Sequence, residues 1–150
     1  MGVDPGLAAT GIAVVDHGVV IYRSTARTGT EESDPERCDE LADAVLSAAL
    51  DHAPDLVVVE GYQYQGARTQ GRNALRMPLL IGWICGRLQT PPLLATRTEW
   101  GRALGAMQDA GQAAALAHLR GEKLRTAHER DAACLALYGA HLERVRTMGR

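Results

Sequence analysis

Gly2–Asp16, GVDPGLAATGIAVVD, is the stretch that decides the fold. Asp4 sits at the end of a short apolar strand. Pro5 and Gly6 turn the chain, and Thr10-Gly11 lead into a second apolar run, Ile12–Val15. The pattern reads as strand, Gly-containing turn, strand. Side chains alternate faces along a strand, so Asp4 can project to a sheet surface. A carboxylate there is costly unless it is solvated, paired or bound to a cation. Asp-Pro-Gly is also good turn chemistry, so a plain hairpin accounts for this stretch in isolation.

Moving outward, His17-Gly18 reads as a tight turn and Val19–Arg27 as a third strand, giving an antiparallel meander over residues 2–27. Ser33-Asp34-Pro35-Glu36 predicts a helix start, with a capping residue, an early Pro and early acids. Leu41, Val45, Leu46 and Ala49 form its apolar stripe. Its acidic face is expected to look to solvent. Asp55–Glu60, DLVVVE, is a continuous apolar strand of the kind covered on both faces, and it ends in a carboxylate. Strand, helix, strand implies a right-handed crossover and a parallel pair. Laid beside the first strand, it brings Glu60 out near Asp4.

Gly61–Gly71 is a polar loop with two tyrosines, Tyr62 and Tyr64, and no acids. Residues 72–89 read as a helix in which Pro78 is a kink or the true start. Arg68, Arg72 and Arg76 are four apart and share a face wherever the segment is helical. Gly82 and Gly86 are expected to let this helix approach the sheet closely. Leu93–Ala95 is a fifth strand. Thr98–Leu104 and Ala110–Leu119 read as short helices, Gly121–Thr126 as a basic loop and Ala127–Arg144 as a last helix. Trp83 and Trp100 are expected in the core, Trp83 with a dimer interface as its alternative place. The last helix opens with His128-Glu129-Arg130-Asp131, which puts His128 and Asp131 on one face of its first turn. Acids early in a helix also suit its dipole, whatever their chemistry.

A chain of 150 residues, 46% apolar and 23% charged, suits a single globular domain over residues 1–150. No apolar run reaches membrane-spanning length, and no signal peptide is read at the N-terminus. The start is abrupt, so upstream residues of the first strand are a possibility the sequence leaves open. Cys38, Cys85 and Cys134 are odd in number and widely spaced. Zinc ligation and a disulfide framework are not expected, and a reducing, cytoplasmic setting is. The net charge of −2 does not mark a nucleic-acid binder, but its distribution does. Residues 31–55 hold nine acids and one basic residue, Arg37, whereas residues 61–98 hold no acid and five arginines.

The order of motifs carries a resemblance. Asp-Pro-Gly followed by Thr-Gly, a strand ending in Glu, and a terminal helix opening with His-x-x-Asp-Ala resemble the RuvC family of Holliday-junction resolvases, within the ribonuclease-H-like superfamily. The similarity runs over nearly the whole chain. It implies an α/β fold: a five-stranded mixed sheet, an antiparallel meander plus parallel strands, flanked by helices. It also implies a homodimer that makes paired nicks in a four-way DNA junction by Mg²⁺- or Mn²⁺-dependent hydrolysis. The family's catalytic and metal-binding set falls on Asp4, Glu60, His128 and Asp131.

Two ions per site can both generate a nucleophile and stabilise developing charge. Asp4 would bridge them, with Glu60 and Asp131 completing one shell each. His128 would be a ligand or, the preferred role, would hold or deprotonate the attacking water. Tyr62, Tyr64, Arg68, Arg72, Arg76, Lys123 and Arg125 are the expected DNA contacts. The family's junction-stacking Phe has no counterpart, because the chain has no Phe. Tyr62 and Tyr64 are the substitutes, each with packing on the domain as its alternative. Other branched DNA or an RNA–DNA hybrid as substrate, a nucleotide-binding lobe of the actin and sugar-kinase type, and a non-catalytic nucleic-acid module are the competing readings.

Overall fold

The structure, a computed structural model, describes residues 1–62, 73–107 and 126–149. Nine elements run along them: β1 (Gly2–Asp4), β2 (Ala9–Asp16), β3 (Val19–Arg27), α1 (Asp34–His52), β4 (Val58–Glu60), α2 (Asn73–Arg87), β5 (Leu93–Ala95), α3 (Arg97–Met107) and α4 (Ala127–Met148). The strands form one mixed sheet in the order β3-β2-β1-β4-β5. β1, β2 and β3 pair antiparallel, while β4 lies parallel to both β1 and β5. The expected meander and parallel pair are both present. The expected helix Ala110–Leu119 lies outside the described residues, as do Tyr64, Arg68, Arg72, Lys123 and Arg125.

Local chemistry sets the element ends. His17 and Gly18 both take positive φ, 48° and 78°, the conformation a two-residue hairpin turn requires. The Glu36 carboxylate accepts from the Ser33 N–H at 2.9 Å and from its hydroxyl at 2.8 Å, which fixes the start of α1. Between Val14 and Val15 the β2–β3 register slips by one residue, a bulge.

Two cores sandwich the sheet. Val3, Ile12, Val14 and Val59 point to one face and pack with Cys38, Leu41 and Val45 of α1 and Leu80 and Ile84 of α2. Val58 and Ala95 point to the other face, against Trp100 and Leu104 of α3 and Cys134, Leu135 and Leu137 of α4. Ala13 meets Ala132 and Ala133 there. Trp100 is core, as expected. Trp83 is half-buried against the first core and donates its indole N–H to Asp39 Oδ1 at 2.6 Å.

Two expectations change. A Cβ on Gly82 or Gly86 would meet nothing within 4 Å, so these glycines do not seat α2 on the sheet. Close approach occurs instead under α4. A Cβ on Gly2 would run into the backbone of Ala132 and Ala136, and one on Gly11 into the carbonyl of His128. The acidic face of α1 does not simply meet water. Arg76 Nε pairs with Asp34 Oδ2 at 2.7 Å, and Arg87 bridges Asp39, at 2.5 Å, and Asp43. Acids of α1 thus receive arginines of α2.

The two glycine classes predict opposite outcomes in urea denaturation. Gly82→Ala adds a methyl in open space inside a helix and is expected to stabilise by about 0.5–1 kcal/mol. Gly11→Ala pushes against backbone and is expected to destabilise by about 1–3 kcal/mol.

Candidate active site

One row across the sheet collects the functional side chains. Asp4 pairs with Gly11, and Gly11 pairs with Thr25. On the other side β1 and β4 run parallel, with Gly2 opposite Val58 and Val3 opposite Val59. Continuing that register sets Glu60 beside Asp4, and Glu60 pairs with Ala95. Both acids project to the α4 face, because Gly2 and Val58, two residues earlier, do so. The first turn of α4 lies along this row. His128 Nδ1 is 2.6 Å from Asp4 Oδ2. Asp4 and Glu60 share a side-chain hydrogen bond. β1, β4 and α4 thus deliver three of the candidate residues, Asp4, Glu60 and His128, to one connected cluster.

Asp131 stands one step further along α4. It is buried, and its carboxylate is engaged by Arg97 Nη1 at 3.2 Å and by Arg130 Nε at 3.4 Å. Its charge is felt at both Asp4 and Glu60. Arg97 was not among the expected site residues. It opens α3 two residues after β5, stacks over the Trp100 ring at 5.3 Å and points an otherwise exposed guanidinium at the acids. Its place just past the end of a strand parallel to β4 was the available signal.

Loss of solvent is the main reason Asp4 is raised to about 6, with the charge of Asp131 adding to it. Loss of solvent also raises Glu60 to about 7, helped by the bond to Asp4 and by its charge. Arg97 pulls both down but does not offset this. The two carboxylates thus hold a proton between them near neutral pH, the behaviour of crowded like charges that have no cation. Among the described residues, no three His, Cys, Asp or Glu side chains already converge as a cation cage. The contacts are pairwise: Asp4 with Glu60, Asp4 with His128, and Asp131 with arginine. In kind, the donors fit a hard divalent cation, which takes carboxylate oxygens.

The expected DNA contacts within the described residues are Tyr62 and Arg76. Tyr62 is half-buried against the first core, and its buried hydroxyl has no hydrogen-bond partner among the described residues. Arg76 is bonded to Asp34.

Comparisons with known proteins bear on the fold. No protein-family model matches the chain. A crossover junction endodeoxyribonuclease RuvC from Cupriavidus metallidurans is 38% identical over 64 residues, 40% of this chain and 35% of that protein. The chain thus matches about a third of that relative's length. Two solved structures align almost throughout. Thermus thermophilus RuvC in complex with a Holliday junction substrate has a TM-score of 0.78 at 23% identity, covering 97% of this chain and 94% of that one. A second Thermus thermophilus RuvC structure gives 0.78 at 22%, covering 97% and 95%.

The shifted acids make a stability prediction. Each is raised above its unfolded value, so its ionisation opposes folding. The penalty is absent below about pH 3 and complete only above about pH 7. Asp4→Asn, melted in EDTA at pH 8, is expected to be about 1–2 kcal/mol more stable than the wild type. The gap should close at about pH 3, below the unfolded-state values of both acids, where they are largely protonated in both states. The chain has the fold of the RuvC resolvases over nearly its whole length and shares local sequence with one of them, which bears out the resemblance read from its motifs.

Proposed function

We propose that the chain is a metal-dependent endonuclease that hydrolyses phosphodiesters in four-way DNA junctions, working as a homodimer. The observation that carries this reading is the Asp4–Glu60 pair. Buried Asp4 and half-buried Glu60 lie side by side, with His128 bonded to Asp4 and Asp131 close by, at the sheet edge of a RuvC-type fold. Such an arrangement costs stability unless it serves a cation. A relative of the same fold is described as bound to a Holliday junction substrate.

Asp4, Glu60 and Asp131 would hold Mg²⁺ or Mn²⁺. When bound, the ions supply a nucleophilic water near neutral pH and neutralise charge developing on the phosphate. With Asp4 ionised, His128 donates its Nδ1–H to it. Nε2 is then the free acceptor, suited to hold the attacking water and take its proton. Arg97 can leave Asp131 for a substrate phosphate, because its guanidinium is planar, permanently charged and largely exposed.

Tyr62, packed on the core, supports an anchoring role for the start of its loop, which leaves Tyr64 as the candidate for stacking on junction bases. Arg68, Arg72, Lys123 and Arg125 remain candidate phosphate contacts. Arg76 must be given up by Asp34 to join them. For the dimer, Leu75 and Leu79 are 78% and 41% exposed and lie four apart on α2, an apolar strip that suits a second copy.

The test is cleavage of synthetic four-way, three-way, duplex and RNA–DNA hybrid substrates, with and without Mg²⁺ or Mn²⁺. The four-way junction is expected to be cut in the presence of either ion and spared in EDTA. Preferential cutting of the hybrid would overturn the substrate assignment. Asp4→Asn is expected to lower the cleavage rate by about 10³-fold or more while junction affinity in Ca²⁺ stays within about threefold. Arg97→Gln is expected to lower the rate by about 10–100-fold and to leave the fold intact by circular dichroism.

A further inference from the structure

The first turn of α4 is held from two sides. Toward the centre of the sheet His128 bonds Asp4. Toward the edge a second set of bonds ties the same turn to β3. Glu129 N–H donates to Thr126 Oγ1 at 3.0 Å. Thr25 Oγ1 donates to Glu129 Oε1 at 3.3 Å, and the Thr25 and Thr126 hydroxyls lie 2.9 Å apart. Each hydroxyl has one proton. Since Thr25 spends its proton on Glu129, Thr126 must donate to Thr25. The result is a closed ring through the Thr126 cap, Thr25 and Glu129. Arg23 Nε adds a charge contact to Glu129 Oε2 at 3.8 Å.

Glu129 is buried, which an acid tolerates only when it is well paired. An exposed helix-start acid favoured by the dipole alone has no need of that position. The ring also sits on the row that carries the site, because Thr25 pairs with Gly11 and Gly11 pairs with Asp4. Gly11 itself offers no side chain to grip the helix, and the helix backbone lies directly on it. Nothing at Gly11 resists sliding of α4 along the row. The Glu129 ring supplies that stop.

We infer that Glu129 is a positioning residue, which acts through the Thr25–Thr126 ring to fix the first turn of α4 and so to keep His128 Nδ1 on Asp4. The catalytic consequence rests on the nuclease reading, but the positional one does not.

The experiment uses the full chain with ¹⁵N-labelled histidine, at pH 8 and low temperature in EDTA. The downfield Nδ1–H signal of His128, identified by its loss in His128→Gln, reports the bond to Asp4. Wild type and Glu129→Gln, which keeps an acceptor, are expected to show it. Glu129→Ala and Thr25→Val, the second a near-isosteric change that breaks the ring without touching α4, are expected to lose or broaden it with circular dichroism unchanged. On a four-way junction with Mg²⁺, Glu129→Ala is expected to cut kcat by about 10–100-fold with KM within about twofold. Glu129→Gln should recover most of that loss. Persistence of the His128 signal in folded Glu129→Ala and Thr25→Val would overturn the inference. Should the wild type fail to cut any junction, the nuclease reading falls, and the histidine signal still decides the role of Glu129.

Discussion

Everything at the site depends on the contact of a helix backbone with a sheet. Gly2 and Gly11 leave the face of β1 and β2 bare, and α4 comes down until its main chain rests on them. A side chain at either place would hold the helix off. At a normal helix-on-sheet spacing, a histidine in the first turn would not reach an aspartate at the end of β1. The close approach converts a packing contact into a chemical one. It also explains why the α4 side of the core is rich in small residues, Ala13, Ala132 and Ala133, while the α1 and α2 side is built from Leu, Ile and Val. Small residues give up some hydrophobic burial. The larger core on the opposite face supplies the stability that the functional face gives away.

The sheet's register has a second effect. Counting back from the His17-Gly18 turn, an unbroken hairpin would set Ser24, not Thr25, against Gly11. The bulge between Val14 and Val15 moves the pairing by one residue, so Arg23 and Thr25 face α4, while Tyr22 turns to the opposite core. A one-residue shift in register exchanges the faces of every following residue. The bulge therefore decides which polar groups of β3 can reach the helix that carries His128.

Much of the architecture was legible in the sequence. The first three strands, the start of α1, the parallel pairing of β1 with β4 and the delivery of Asp4, Glu60 and His128 to one edge follow from apolar runs, turn residues and the handedness of the crossover. What failed did so for physical reasons. Helical periodicity says that Gly82 and Gly86 share a face with Arg68, Arg72 or Arg76 or not, but never which neighbour that face meets. Only the folded chain shows that this face of α2 looks to open space, while Leu80 and Ile84 make the contact with the sheet. Arg97 looked like one more basic residue, because its meaning comes from the strand end it follows. Thr25 and Glu129 were invisible because a bulge cannot be counted in advance, and because an acid near a helix start already has an ordinary explanation in the dipole.

Part of the sign segregation that first pointed to nucleic acid has an internal cause. The acids of α1 and the arginines of α2 meet: Asp34 takes Arg76, while Asp39 and Asp43 take Arg87. Opposite charges gathered in adjacent segments are what two packed helices of complementary charge require. This changes the expected electrostatics of DNA binding. Counterion release scales with the phosphates neutralised, so arginines already spent on aspartates add little to it. Among the described residues Arg76 and Arg87 are spent in this way, and a chain of net charge −2 has weak overall attraction for plain duplex. For the proposed junction nuclease that weakness would be useful, since duplex is the competing ligand in great excess and specificity is a difference of affinities. Discrimination then rests on the few charges placed by shape. Arg97, fixed over Trp100 beside the acids, is the described residue best placed to supply one of them.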